Sequence, residues 1–526
     1  MTASVQPHPL SPAPVKAMLS DGQELALIDL REELIFSRSH LLCARNVPLS
    51  RLELRFARLV PRKTTRVVLI DDDDGLCARA AAVLAGAGYS DVSCLAGGNA
   101  AWAAAGFEVF SGVNVPSKAF GEFIEHHNHT PSVSAGELDA LLRARADMVV
   151  LDSRPFDEYS RISIPGGVNV PGAELVLHVH DIAPSPDTLI VVNCAGRTRS
   201  IIGAQSLINA GVPNKVVALR NGTMGWHLAG FTCDKGKSAR FPALSEGGLA
   251  RAKQAADAVA RRFDIARISS ATLEHWCADP TRTTYVFDVR EPAEYAAAGH
   301  YPGAISAPGG QLVQATDQYV GTLGARIVVC DDREVRAVMT ASWLKQMGWR
   351  DVAVLPEAGE EKGESSDIVL GTPPEDAAID CSTLRALDNA TVVDLARSPE
   401  YRKGHIPGAW FAIRARLAQA LAKIEPSGTL VLTSEDGVLA GLAAAEAPAL
   451  TALPVRWLKG GTAAWAATGN PLSTEAKLAD EPLDAWLKPY ERAGDPKAAM
   501  NEYLSWEIDL LDRIKRDGTT HFTAVT

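Results

Sequence analysis

The sequence lacks the features that identify three broad classes of protein. Its eight cysteines include no Cys-x-x-Cys pair, which argues against a disulfide framework and against a zinc site. It contains no uninterrupted apolar run of about 18 residues, the length that spans a membrane, and residues 1–16 lack the apolar core of a signal peptide. A net charge of −11 argues against nucleic acid as the main partner. We therefore expect a cytoplasmic protein with no membrane or nucleic-acid partner.

The length and composition indicate several globular domains. A chain of 526 residues is too long for one hydrophobic core, and a length of this order predicts about three or four domains. The apolar share of 47 % and the charged share of 22 % are ordinary for globular domains.

The sequence around Cys194 is typical of a reactive cysteine. The apolar run 189–192 ends in Asn193 and Cys194, a short loop with one glycine and two arginines follows, and a helix-like run covers residues 200–210. Backbone N–H groups of such a loop and of the helix start point at one spot, where a thiolate is favoured. We therefore predict that Cys194 is a catalytic nucleophile. The residues predicted to bind an anionic substrate are Ala195, Gly196, Arg197, Thr198, Arg199 and Ser200.

The segment that contains Cys194 is one of four copies of a longer pattern. The clearest copy begins with Asp288-Val289-Arg290-Glu291, continues with Glu-Tyr at 294–295 and ends in Gly-His-Tyr-Pro-Gly-Ala at 299–304. In each copy a second apolar strand then leads to one loop position. The first aspartate and this loop position are 42 residues apart (29 to 71), 42 (152 to 194), 43 (288 to 331) and 40 (394 to 434). Such constant spacing indicates a repeated domain.

Three copies close with a Gly-to-Trp signature, at residues 98–102, 222–226 and 461–465, whereas the third copy reaches Glu357-Ala358-Gly359 without a tryptophan. Within each copy, short apolar strands alternate with Ala- and Leu-rich helices. This alternation predicts a small parallel sheet flanked by helices, with ligands at the carboxyl ends of the strands.

Together these motifs resemble the rhodanese (sulfurtransferase) family. The resemblance covers roughly residues 15–475 and implies an α/β fold of four tandem rhodanese-like domains. We place the domains at 1–113, 130–232, 266–365 and 375–475, with a helical linker at 233–265 and a helical tail at 476–526.

The tail is predicted to contain one amphipathic helix. Asp495 and Pro496 begin it as N-cap and first residue, and Gly518 ends it. Its predicted apolar face consists of Met500, Tyr503, Leu504, Leu511 and Ile514. We expect this face to pack on one of the domains, and a homodimer through the helix is the alternative.

Only the second copy is predicted to be active. The other loops carry carboxylates at 71–74, 331–332 and 435–436, and the loop position itself is Asp71, Asp331 or Ser434. None of these residues can carry a persulfide, and their charges repel anions. Cys77 aligns with Ser200 and Cys330 with Asn193, so we interpret both cysteines as structural.

Three further residues are candidates near the site. Asp152 and Arg154 match the Asp-x-Arg element of the family, and we expect them to form an ion pair that supports the loop from behind. Lys118 lies in the linker 114–120 and could border the site, although a solvated lysine is the favoured interpretation. Ile162 and Ser163 replace the Gly-His pair of the third and fourth copies, so no role for this histidine is expected in the second copy.

The resemblance implies a sulfurtransferase without a cofactor or a metal. Cys194 would take sulfur from a small anionic donor, such as thiosulfate or 3-mercaptopyruvate, and pass it from a persulfide to a thiol or to cyanide. One alternative is a cysteine-dependent phosphatase or arsenate reductase, which would need an arginine six positions after the cysteine, where this chain has Ser200. Another is a redox-sensing scaffold.

Overall fold

A computed structural model describes residues 7–357, 359–363 and 368–525. The four copies form four sheets with helices on their faces, as predicted. Ala358, at the position where the third copy lacks the closing signature, lies outside the described residues. The chain divides into two compact units: one comprises the described parts of 1–15, 26–113 and 367–486, and the other those of 16–25, 114–366 and 487–526.

The first unit contains the first and fourth domains. In the first domain the strands lie in the order His8–Leu10, Val92–Leu95, Arg66–Ile70, Leu25–Asp29, and Arg45–Asn46 pairs with the last of these. Its helices are Pro12–Met18, Glu33–Phe36, Leu52–Leu59, Leu76–Gly86 and Gly98–Ala104. The fourth sheet has the order Ala378–Ile379, Val455–Leu458, Thr429–Thr433, Ala390–Asp394, Trp410–Phe411, Lys477–Leu478. Its helices are Cys381–Ala386, Ser398–Lys403, Leu417–Ile424, Val438–Glu446 and Gly461–Ala467.

The second unit contains the second and third domains. The second sheet has the order Ser132–Val133, Val216–Leu219, Leu189–Asn193, Met148–Asp152, Val168–Asn169. Its helices are Val115–Asn128, Ala135–Arg143, Phe156–Arg161, Leu175–Ile182, Thr198–Asn209 and Gly222–Leu228. The third sheet has the order Ala266–Arg267, Val352–Leu355, Arg326–Cys330, Thr284–Asp288, Ile305–Ser306, and Thr322–Leu323 is a further short strand. Its helices are Ser270–Ala278, Pro292–Ala298, Gly309–Gln314 and Val335–Gln346.

Burial on both faces explains why these strands are apolar along their whole length. All four residues of Val216–Leu219 and of Val352–Leu355 are buried, and so are the last four of Leu189–Asn193. Such strands pair in parallel because each connection returns along a helix that covers a face of the sheet. The carboxyl ends of the central strands therefore lie at the same edge of each sheet, and the loops that follow them carry the distinctive residues.

Two long helices lie outside the sheets of the second unit. The linker contains Glu246–Arg262, where the Ser245 hydroxyl accepts the N–H of Gly248 at 2.9 Å. The C-terminal helix is Pro496–Asp517, capped by Asp495 and ended by Gly518 at a φ of +71°, as predicted. No helix in the described part of the chain is long and apolar enough to cross a bilayer.

The structure differs from the sequence predictions in three places. Residues 115–120, predicted as a linker, form the start of helix Val115–Asn128. On the C-terminal helix Leu510 is buried, whereas Leu511 is only partly buried. The segment 476–526 is not helical from its beginning, since Lys477–Leu478 pairs with Trp410–Phe411 as an edge strand.

A buried carboxyl group makes the stability of the first unit sensitive to pH. Burial, with a contribution from the charge of Asp484, raises the pKa of Glu32 to about 7. A carboxyl whose pKa is higher in the folded state binds more protons when folded, so its contribution to stability is complete at low pH and is lost as the pH rises through about 7. This loss is on the order of 3 kcal/mol.

We therefore expect Glu32→Gln to reduce the fall in melting temperature between about pH 5 and about pH 8. Differential scanning calorimetry of both proteins at the two pH values measures this effect. The exposed Glu481 offers a matched control, since Glu481→Gln should leave the pH dependence unchanged. An equal fall in the wild type and in Glu32→Gln would contradict the prediction.

Candidate active site around Cys194

Cys194 lies at the end of the central strand of the second sheet. Strand Leu189–Asn193 leads into it, and helix Thr198–Asn209 begins four residues later. Cys194 is 2 % exposed, and its Sγ lies 3.6 Å from the Ser200 hydroxyl in the first turn of the helix. The first N–H groups of a helix have no intrahelical acceptor and carry partial positive charge. The sulfur atom therefore lies beside the start of a helix.

The other three domains show the same geometry with a different side chain. In each of them the residue at the loop position accepts the backbone N–H of the residue six positions later. The donor–acceptor distances are 2.9 Å for Cys77 N to Asp71 Oδ2, 3.4 Å for Ala337 N to Asp331 Oδ1 and 3.3 Å for Ala440 N to Ser434 Oγ. Cys194 and Ser200 have the same separation. The fold thus directs one side chain at a helix start in every copy, and only in the second copy is this side chain a thiol.

The glycine of the Gly-to-Trp signature holds the loop in place. The N–H groups of Thr223 and Met224 donate to the carbonyl oxygens of Cys194 and Ala195 at 2.8 and 3.0 Å. Gly222 has a φ of +52°, and a Cβ atom there would lie 2.3 Å from the Cys194 carbonyl oxygen. The equivalent Cβ atoms would lie 2.0 Å from Asp71 O at Gly98 and 2.1 Å from Ser434 O at Gly461. A side chain is therefore excluded at this position.

Arg197 is held by two carboxylates and anchors the loop. Its Nε and Nη2 atoms donate to the two carboxylate oxygens of Glu122, both at 2.7 Å, and Nη2 also donates to Glu125. Burial opposes its charge, but the hydrogen bonds and charge of Glu122 outweigh burial and raise the pKa of Arg197. The guanidinium group thus ties the loop to helix Val115–Asn128.

Arg199 is the arginine that is electrostatically linked to the sulfur. Its Nη2 atom donates to Glu158 Oε2 at 2.9 Å and its Nη1 atom to Gln311 Oε1 at 3.4 Å. Burial opposes the charge of Arg199, but the carboxylate of Glu158 and negative charge on Cys194 together raise its pKa. Lys488 also lies 3.3 Å from Glu158 Oε1. Two cations therefore share one carboxylate beside the loop.

The expected ion pair behind the loop is present. Arg154 Nε and Nη2 donate to the two carboxylate oxygens of Asp152 at 2.8 and 2.6 Å, and both residues are 1 % exposed. Asn193 Nδ2 donates to Asp152 Oδ2 at 2.9 Å. Arg154 also donates to the carbonyl of Ile162 at 2.6 Å. The pair is thus connected to the residue just before Cys194.

The C-terminal helix covers the outer side of the loop. Met500 and Leu504 pack with Met224 of the second domain, in a cluster that also includes Tyr503. The helix therefore packs on a domain, as expected. The Glu507 carboxylate is fully buried and lies so close to Gly196 that a Cβ atom there would be 3.4 Å from Oε2.

Lys118 is not a solvated lysine, contrary to the favoured interpretation. Its side chain is 11 % exposed and its Nζ lies 3.4 Å from Glu507 Oε1. The same oxygen accepts the hydroxyl groups of Tyr503 at 3.0 Å and Thr198 at 3.4 Å. Sequence reasoning missed Glu507. The sequence did contain a signal, because Glu507 is a charged residue on the otherwise apolar face of the predicted helix.

A shallow cleft borders the site within the second unit. It extends from Arg199 along helix Thr198–Asn209 to Trp343 in the third domain. Arg199 is the charged residue of its lining, and the other lining side chains are apolar or neutral. The positive charge of this lining therefore comes from a residue of the Cys194 loop.

The sheets and the loop define an α/β domain in which a cysteine lies between the central strand and the start of the next helix. A family model described as Rhodanese-like domain matches residues 11–105, 134–229, 270–359 and 380–468. The chain belongs to this family.

Two similar proteins differ in how much of the chain they cover. The crystal structure of a thiosulfate sulfurtransferase from Pseudomonas aeruginosa is 48 % identical, with a TM-score of 0.95, over 99 % of this chain and 100 % of that one. An HTH-type transcriptional regulator, Rv0324, from Mycobacterium tuberculosis is 33 % identical over 98 residues, which are 18 % of this chain and 42 % of the regulator. The chain thus spans less than half of the regulator.

The close approach at Gly222 can be separated from the effect of its backbone angle. We expect Gly222→Ala to displace the Cys194 carbonyl and to slow alkylation of Cys194 by iodoacetamide. Gly211 has a φ of +68° with no atom within 4 Å of an added Cβ, so Gly211→Ala carries only the backbone cost of about 1–2 kcal/mol. Equal losses of melting temperature and equal alkylation rates in the two variants would contradict this account.

Proposed function

We propose that the chain is a sulfurtransferase in which Cys194 carries the transferred sulfur as a persulfide. The observation that carries the proposal is that Cys194 is the one thiol among the four loop positions and lies at a helix start beside Arg199. The similarity to a thiosulfate sulfurtransferase over 99 % of the chain supports the same reaction class. We further propose that the protein acts in the cytoplasm on a small anionic donor and a thiol or cyanide acceptor.

In the first half of the reaction, the Cys194 thiolate attacks the outer sulfur of the donor. A bond forms between Sγ and that sulfur, the donor's own bond to the sulfur breaks, and the leaving group departs with the electron pair. With thiosulfate the leaving group is sulfite. Loop N–H groups between Ala195 and Ser200 stabilise the charge that remains on the persulfide.

In the second half, an acceptor attacks the outer sulfur of the persulfide. The bond between the two sulfur atoms breaks, and the electron pair returns to Sγ as a thiolate. Cyanide would leave as thiocyanate, and a thiolate acceptor would leave as a persulfide. No oxidant and no cofactor are required for this cycle.

The surrounding charges divide into two groups. Arg199 acts on charge at the sulfur, because its own charged state is favoured by Cys194. Arg197, Asp152 and Arg154 act as positioning residues, since each is held by hydrogen bonds within the protein. Lys118 contacts Glu507 and so helps to hold the C-terminal helix over the loop.

The phosphatase alternative has less support. The position six residues after Cys194 is Ser200, and its hydroxyl donates to the Arg197 carbonyl at 2.8 Å. Arg197, three positions after the cysteine, is held by two carboxylates. Neither residue therefore offers a guanidinium group that is available to bind a phosphate beside Cys194.

Replacement of the nucleophile tests the proposal directly. We expect wild-type protein incubated with thiosulfate to gain the mass of one sulfur atom, and Cys194→Ser to gain none while keeping its melting temperature. The exposed Cys277 is a matched control, and Cys277→Ser should gain sulfur like the wild type. Thiocyanate formation by Cys194→Ser would overturn the assignment, and phosphate release from a phosphoester without sulfur transfer would favour the alternative.

Replacing Arg199 should lower activity, whereas replacing Arg197 should lower stability. We expect Arg199→Gln to lower kcat/KM for thiosulfate by about 10- to 100-fold, as for loss of a charged hydrogen bond. Arg197→Gln leaves the buried Glu122 without its partner and should lower stability by about 3–5 kcal/mol. Steady-state kinetics and thermal unfolding of both variants separate these effects. A larger loss of stability in Arg199→Gln than in Arg197→Gln, with kcat/KM unchanged, would contradict these roles.

A further inference from the structure

Three potential metal ligands converge in the first domain. One carboxylate oxygen of Asp71 and the sulfur atoms of Cys77 and Cys94 all lie within 4.8 Å of one another. Asp71 and Cys77 are buried, whereas Cys94 is partly exposed. Within the described residues, this is the one group of three such side chains with this spacing. Two thiolates and a carboxylate are ligands suited to a divalent cation of the zinc class.

The other domains occupy the same three positions differently. The loop position is Asp71, Cys194, Asp331 or Ser434, and six residues later stands Cys77, Ser200, Ala337 or Ala440. The third position lies on the neighbouring strand, where Leu69, Val192, Val329 and Leu432 pair with Cys94, Ala218, Val354 and Trp457. Only the first domain combines metal-ligating side chains at all three positions.

The charge around the cluster also favours a cation. Asp71 is the first of four consecutive aspartates, and its Oδ1 and Oδ2 accept the N–H groups of Asp73 and Cys77 at 3.1 and 2.9 Å. These bonds fix the carboxylate while leaving each oxygen with a further lone pair. Asp73 and Asp74 follow on the same loop and are exposed. A bound cation would offset this crowding of negative charge.

We propose that the first domain binds one thiophilic divalent cation of the zinc class through Asp71, Cys77 and Cys94. Water on the side of Cys94 completes the tetrahedron. Binding releases the two thiol protons to solvent, and the metal joins the start of helix Leu76–Gly86 to strand Val92–Leu95. The site is independent of Cys194 and of the reaction proposed there.

Cobalt(II) provides the test, because thiolate coordination gives it charge-transfer and intense visible absorption. We expect the reduced, metal-free full chain to bind one Co²⁺ per molecule with these bands, and Zn²⁺ to displace it. Zn²⁺ should also raise the melting temperature of the transition that contains the first unit, since it binds only the folded site.

Two variants use residues that the fold already accepts. Cys77→Ser and Cys94→Ala introduce the second domain's residues at these positions, Ser200 and Ala218, so both should fold. We expect both to lose the thiolate bands and the stabilisation by Zn²⁺. Cys43→Ser, in the same domain, and Cys194→Ser should keep them.

Three outcomes would overturn the proposal. One is the absence of thiolate bands after Co²⁺ is added to the reduced chain. Another is their persistence in both Cys77→Ser and Cys94→Ala. The third is a Cys77–Cys94 disulfide, detected by mass before reduction, in a chain that still binds no cation after reduction.

Discussion

The unpaired N–H groups at the start of one helix in each domain determine what stands at the end of the preceding strand. A buried helix start needs an acceptor or an anion, and the chain supplies it from the first residue of the loop. Asp71, Asp331 and Ser434 satisfy this need with their own oxygen atoms. In the second domain the sulfur atom of Cys194 occupies the same position, and the proposed reaction uses this position to hold negative charge.

The carboxylates of the third domain's loop are balanced by an arginine of the protein. Arg336 contacts Asp331 at 3.3 Å and Asp332 at 2.6 Å, and it also contacts Glu174 of the second domain at 2.8 Å. Burial raises the pKa of Asp331 to about 6, although Arg336 opposes this rise. The loop of the third domain thus serves the contact between two domains of one unit. The position equivalent to Cys194 therefore has a role in packing in the third domain.

Local motifs allowed the sheets, Cys194 and the Asp152–Arg154 pair to be predicted, because the residues that determine them lie within one repeat. The direction of Arg197 was not predictable, since its partner Glu122 lies 75 residues away, on the helix that begins in the segment interpreted as a linker. A still larger separation in sequence concealed the contact of Lys118 with Glu507. Repeats reveal what the copies share, whereas contacts between a copy and the segments outside it have no counterpart to compare.

The helix that covers the Cys194 loop lies far along the chain from that loop. Thr198 contacts Glu507, which follows it by 309 residues. A growing chain can therefore complete the second sheet while its reactive loop is still uncovered on the Gly196 side. Two further domains must be synthesised before the helix that closes this side exists. The surroundings of Cys194 are complete only in molecules whose translation has passed Glu507, so an interrupted product carries this cysteine without the helix that covers its loop.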